Sequence, residues 1–151
     1  MIQTLRQIFR RGTPKSRPCA VPEGQRVYAI GDIHGRLDLF AAIASAIELD
    51  DAARGPAETT VILLGDLVDR GPDSAEVLAG ARAWQRRRNV RILRGNHEEM
   101  FLMSLRRENA LRNFLRFGGL ETVLSYPVDP AAFRAADYGE AQEMIRRAVP
   151  P

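Results

Sequence analysis

Three short stretches of the sequence end an apolar run with glycine and then a carboxylate or an amide. They are AIGDIHG at 29–35, LLGDLVDRG at 63–71 and LRGNHEE at 93–99. The chain's two histidines, His34 and His97, each lie within three residues of one of those glycines. Carboxylate, amide and imidazole without thiolate form an oxygen and nitrogen donor set that suits manganese, iron or zinc. Asp32 and His34 are two residues apart and can reach one ion from a bent loop. Asp66 has ligands on both sides and is the natural bridge to a second ion. Asn96 can give that ion a neutral amide oxygen. Two metal ions held this way activate a water and clamp an in-line displacement at phosphorus.

Other residues in these stretches exceed what a structural metal site needs. Arg70 presents a planar fork that matches phosphate oxygens. His97 follows Asn96 directly, but its ring need not bind metal. Held near a leaving-group oxygen it can act as general acid, oriented by a carboxylate on its other nitrogen. Asp69 is the candidate carboxylate, and Glu98 is a candidate brace for the loop. Each residue alone has a plain reading: a turn, a hydrogen-bonded histidine, a surface arginine. Taken together they read as a metal-dependent site.

Such groups converge only if the strands carrying them are neighbours. Val27–Ile30 reads as a strand ended by Gly31. Phe40, Ile43, Ala44 and Ile47 then recur at helical spacing, predicting a helix over 37–51. TTVILLGD at 59–66 is a second strand, apolar on both faces, as buried parallel strands are. Pro72 opens a second helix with Val77, Leu78, Ala81 and Trp84 on one side. NVRIL at 89–93 is the third strand. This β-α-β-α-β order implies parallel pairing with right-handed crossovers, which brings neighbouring strand ends within about 5 Å. In open α/β sheets, sites sit at those carboxyl ends. Beyond Asn96 helical patterns dominate. They break at Gly118-Gly119, pause in a loop marked by Pro127 and Pro130, and end at Pro150-Pro151. No fourth strand is read.

The 151 residues are 45% hydrophobic, enough for one domain with a core, and the net charge is a mild +3. Arg6, Arg10, Arg11, Lys15 and Arg17 make residues 1–25 a basic, irregular arm, with a short helix at 1–11. No aromatic-interleaved basic patch supports nucleic-acid binding. Cys19 is the only cysteine, so no internal disulfide forms, and no run of about eighteen apolar residues suggests a membrane span. A cytoplasmic protein is the expectation.

At GDIHG (31–35), GDLVDRG (65–71) and RGNHEE (94–99) the chain resembles the calcineurin-like metallophosphoesterases. More narrowly, it looks like the PPP-type serine/threonine protein phosphatases of the bacterial and phage branch. The resemblance covers about residues 26–125 and includes FGGLETVLSY at 117–126. It implies that 26–151 is the N-terminal β-α-β-α-β part of a four-layer α/β/β/α sandwich. It implies two divalent ions, manganese first, with iron and zinc as alternatives. Asp32 and His34 would hold the first, Asp66 would bridge, and Asn96 would hold the second. Arg70 would hold the substrate phosphate, and His97 paired with Asp69 would protonate the leaving alkoxide. The nucleophile would be an activated water with no phosphoenzyme.

The implied substrate is a phosphoprotein or a small phosphoester. Asp69 within GDLVDRG favours the protein phosphatases over the similar symmetrical bis(5'-nucleosyl)-tetraphosphatases, which stand as the alternative. The sequence departs from the family in one respect. Members supply further histidines and a second phosphate-binding arginine in a later half, so the domain is expected to be C-terminally incomplete. Its metal site would then be completed by a missing segment or a partner. A truncated chain serving only as a metal-binding or interaction module is the remaining alternative.

Overall fold

A computed structural model describes residues 19–150. The proposed helix at 1–11 and most of the basic arm lie outside the described residues. Strand β1 (Gln25–Ile30) pairs in parallel with β2 (Glu58–Leu63), with Tyr28 opposite Val61 and Ile30 opposite Leu63. Strand β2 pairs in parallel with β3 (Val90–Ile92), giving the order β1-β2-β3. Helices α1 (Leu37–Ala53) and α2 (Ser74–Gln85) make the two crossovers. The chain steps in one direction across the sheet, and right-handed crossovers then put both helices on the same face. The expected β-α-β-α-β arrangement is the one observed.

One consequence corrects the sequence reading. β2 was expected to be buried on both faces, but among the described residues the helices cover only one. Val61 and Leu63 are fully buried against α1 and α2, whereas Leu64 is 52% exposed and Val27 of β1 is 42% exposed. Apolar residues fill both faces of β2, and period-2 geometry sends alternate ones to the uncovered side. β2 also ends earlier than expected, because Gly65 and Asp66 leave the ladder to build a loop, whereas β1 begins two residues earlier than Val27.

Phe40 and Ile47 of α1 meet Val77, Ala81 and Trp84 of α2 in the first core. The Phe40 and Trp84 rings pack edge to face at 5.9 Å. Ile43, expected on the buried stripe, is instead 43% exposed. Trp84 Nε1 donates to Glu48 Oε1 at 2.6 Å, and Arg88 bonds both Glu48 and Asp51. Asp51 also accepts from Thr59 and Arg26, so one carboxylate ties the end of α1 to all of these elements.

Beyond β3 the chain is helical: α3 (Asn96–Ser104), α4 (Glu108–Phe114), α5 (Leu120–Leu124), α6 (Pro130–Ala135) and α7 (Tyr138–Ala148). A second core gathers Phe101, Leu111, Phe114, Val123, Phe133 and Ile145. Pro130, read as part of a loop, opens α6. Asp129 Oδ1 accepts from the Ala132 N–H at 2.6 Å, and proline suits a first helical position because it lacks a donor that would need a partner. Between α4 and α5 a wide turn at Leu115–Gly119 interrupts helical geometry at Phe117 and Gly118. Among the described residues, no helix is long and apolar enough to cross a membrane.

The Asp51 carboxyl is held far below the usual carboxylate range, first by the Thr59 hydroxyl and then by Arg88 and Arg26. A depressed folded-state pKa contributes stability above the unfolded value and loses it as pH falls. Asp51→Asn should therefore lower the urea midpoint at neutral pH. The deficit relative to the parent should shrink as pH drops below about 4. A deficit constant across that range would remove the charge of Asp51 from the explanation.

Candidate active site

The three strand exits are locked together mainly by backbone. The Ile33 and His34 N–H groups both donate to the Asp66 carbonyl, at 3.0 and 2.9 Å, and the Gly35 N–H donates to the Leu67 carbonyl at 2.7 Å. Such closeness leaves no room for side chains. A Cβ on Gly35 would sit 2.6 Å from the Gly71 carbonyl oxygen, and one on Gly95 would overlap the Asp66 carboxylate. Glu98, in the first turn of α3, closes the arrangement. Its Oε2 accepts from the Asp66 and Gly95 N–H groups, both at 2.8 Å. Its Oε1 accepts from Leu67 at 2.7 Å and Val68 at 3.3 Å.

Left-handed backbone marks the same loops. Among the described residues the non-glycine positions with positive φ are His34 (47°), Asp66 (54°), Asp69 (73°) and Arg70 (70°). All four are candidate site residues. Such φ values cost an L-residue roughly 1–2 kcal/mol each and persist only where the surroundings impose them.

His34 Nδ1 lies 2.8 Å from the Val68 carbonyl and must donate to it, which leaves Nε2 free, 3.7 Å from Asp32 Oδ2. Asp66 Oδ1 accepts the His97 N–H at 3.0 Å. Side-chain donor atoms of His34, Asp66 and His97 lie within 4.8 Å of one another. The His34 and His97 rings meet edge to face at 4.7 Å. The sequence reading kept His97 apart from the ligands, whereas the fold gathers its ring with them. Asp32, its side chain 67% exposed, borders this group through His34. Asn96 is exposed at the first position of α3.

His97 is buried, and its Nδ1 lies 2.7 Å from Asp69 Oδ2. Asp69 is fully enclosed. Its Oδ1 accepts from the Thr122 hydroxyl at 2.6 Å, and its N–H donates to Thr122 Oγ1 at 2.8 Å and Ser74 Oγ at 3.1 Å. Burial pushes the Asp69 carboxyl above its ordinary range, while the bonds from Thr122 and His97 pull the other way. Arg70 is exposed, with Nη2 3.3 Å from His97 Nε2. A guanidinium can only donate, so His97 accepts at Nε2 and donates from Nδ1 to Asp69. The Arg70 N–H donates to the Gly118 carbonyl at 2.9 Å.

Thr122, Ser74 and Gly118 were not singled out as site residues from the sequence. Thr122 carried a signal all the same: a polar residue between Leu120 and Val123 on the buried side of a short helix. Glu98 was read as a loop brace through backbone or arginine contacts, and the backbone contacts are the ones formed.

The donor set fits divalent cations. The free His34 Nε2, the second Asp66 oxygen and the solvent-facing Asp32 and Asn96 supply borderline-hard N and O ligands. Glu98→Gln tests the frame that presents them. It replaces an acceptor oxygen by an NH2 group facing backbone donors, and should cost about 1.5–3 kcal/mol in urea unfolding. Amide exchange should speed up at Asp66, Leu67 and Gly95. Unaltered exchange there would mean the loops stand without the carboxylate.

Comparison with known proteins matches this architecture to one family. A model of the calcineurin-like phosphoesterases matches residues 25–135. The symmetrical bis(5'-nucleosyl)-tetraphosphatase of Klebsiella pneumoniae (strain 342) is 41% identical over 71 residues, covering 47% of this chain and 23% of that protein. The protein of the same name from Cronobacter sakazakii matches at 41% with the same coverage. That of Yersinia pestis (strain Pestoides F) matches at 42% over 71 residues, 47% of this chain and 22% of its own. The matched stretch thus spans less than a quarter of each relative's length. With its three strand-end motifs inside the matched region, the chain belongs to the calcineurin-like phosphoesterase family.

Proposed function

We propose that the protein is a metal-dependent phosphoester hydrolase whose substrates are dinucleoside polyphosphates. The observation that carries the chemistry is the contact of His97 with both Asp69 and Arg70, beside the donor group of His34 and Asp66. One phosphoryl group can then meet a cation, a proton donor and metal ligands together. The names of the relatives favour the dinucleoside substrate over the phosphoprotein that the sequence reading put first.

In this reading Asp32 and His34 would hold one divalent ion and Asn96 a second, with Asp66 serving both. Divalent ions held there would supply an activated water and positive charge opposite the phosphoryl oxygens. Arg70 binds two of those oxygens, which draws its Nη2 away from His97 Nε2. His97, oriented through Nδ1 by Asp69, can then take a proton from solvent at the vacated Nε2, becoming an imidazolium that Asp69 stabilises, and pass that proton to the leaving oxygen. Thr122 and Ser74 keep Asp69 in place. Manganese is the first metal to try, then iron and zinc. A phosphoprotein phosphatase is the second reading, favoured by the exposure of Asp32, Arg70 and Asn96, which leaves room for a protein loop.

Rates with manganese on diadenosine tetraphosphate, a phosphopeptide and an aryl phosphate test the proposal. The dinucleotide should turn over fastest; a phosphopeptide preference would move the protein to the other branch. Asp66→Asn should fall to background, and full activity in that variant would sink the bridging role. His97→Asn should lower kcat by about 10²–10⁴. Absence of turnover on all three substrates with each metal would leave a non-catalytic module.

Asp69→Asn separates stability from catalysis. The folded pKa of Asp69 is raised, so its ionised form is penalised once pH rises above the usual carboxylate value. The neutral amide removes that penalty. The new NH2 group faces the Thr122 hydroxyl and His97 Nδ1–H donors, so the two effects oppose: urea stability at neutral pH should fall by less than in Glu98→Gln while kcat drops, and the deficit should widen below about pH 4 as the parent's Asp69 protonates.

A further inference from the structure

The turn between α4 and α5 holds an aromatic ring that the second core does not use. Phe114 is fully buried and stacks on Phe101 at 5.2 Å. In an unbroken helix Phe117, three residues on, would share that inner face. Instead the backbone leaves helical geometry at Phe117 (φ −103°, ψ 21°) and turns left-handed at Gly118 (φ 94°). Phe117 is thrown outward and is 60% exposed.

This turn is pinned to the site. The Gly118 carbonyl accepts the Arg70 N–H at 2.9 Å, and a Cβ on Gly118 would lie 3.0 Å from Arg70 Cγ. Five residues after Phe117, Thr122 clasps Asp69. Phe117 is therefore held at a set offset from the residues assigned to the phosphate and the proton. Wide turns of this kind inside helices recur at functional sites.

We propose that Phe117 is a specificity residue whose ring stacks on the nucleobase of the substrate while Arg70 holds its phosphate. This rests on the phosphoester-hydrolase reading above and names what that site selects. Stacking of a base on an aromatic side chain is sequence-tolerant, so the site accepts purine or pyrimidine nucleotides and discriminates against phosphoesters without a ring.

The test is calorimetric binding of adenosine 5'-monophosphate, ribose 5-phosphate and inorganic phosphate to the whole chain with manganese present. The first two differ only in the base. Wild type should bind the nucleotide about tenfold tighter than ribose 5-phosphate. Phe117→Ala should bring that ratio close to one without altering ribose 5-phosphate binding, and Phe117→Trp should keep it. Thermal unfolding checks that the alanine variant is folded; the ring is exposed, so its midpoint should not move. A ratio unchanged in Phe117→Ala, or near one in the wild type, overturns the stacking role while leaving the phosphate site in place. Wild type that binds none of the three probes overturns the phosphoester reading and this inference with it.

Discussion

One carboxylate holds the site region in register. Glu98 accepts four backbone N–H groups, three from the β2 exit (Asp66, Leu67 and Val68) and one from Gly95 at the start of α3. The dependence runs outward from there. Asp66, fixed at its N–H by Glu98, offers its carbonyl to Ile33 and His34, which fixes the β1 exit. The same residue accepts the His97 N–H on its carboxylate. A glutamate that carries no chemistry of its own thus sets where the β1 exit, the β2 exit and α3 can meet. Its place in the first turn of a helix suits its charge.

The four left-handed residues show what this frame is asked to resist. His34, Asp66, Asp69 and Arg70 adopt backbone that glycine would tolerate at no cost, yet each bears a functional group. Local preference and side-chain chemistry conflict at these positions, and the surrounding hydrogen bonds decide the outcome. Close glycine contacts make the decision firm, since Gly35 against Gly71 and Gly65 against Gly95 leave no slack for the loops to relax. A site built this way is stiff before any ligand arrives, so less ordering is left for binding to supply.

Much of this could be read from residues alone, for identifiable reasons. Strand-ending glycines and helical periodicity mark β1, α1, β2, α2 and β3 because those signals are local. That the three strand exits lie side by side follows from parallel pairing. What escaped reading depends on long-range packing. Which face of the sheet is covered cannot be told from β2, whose apolar residues suit either side. Pro130 looks like a loop breaker and is also a good first residue of a helix; Asp129 beside it decides. Thr122 enters the site from an element read only as an apolar stripe. Substrate choice is a different kind of limit: Asp69 pointed to the phosphoprotein branch, whereas the names of the relatives point to dinucleoside polyphosphates.

The clasp between Asp69 and Thr122 spans fifty-three residues of chain. It has a consequence for the order of events during synthesis. All three strand-end motifs, and the Glu98 frame with them, lie before residue 100 and leave the ribosome ahead of Thr122. Asp69 still lacks its hydroxyl partner, and burying an unpartnered carboxylate is costly. Closing so long a loop is also slow compared with pairing neighbouring strands. A nascent chain with its motifs assembled would hold Asp69 without that hydroxyl until Thr122 arrives, so the helical half completes the setting of the Asp69–His97 pair last.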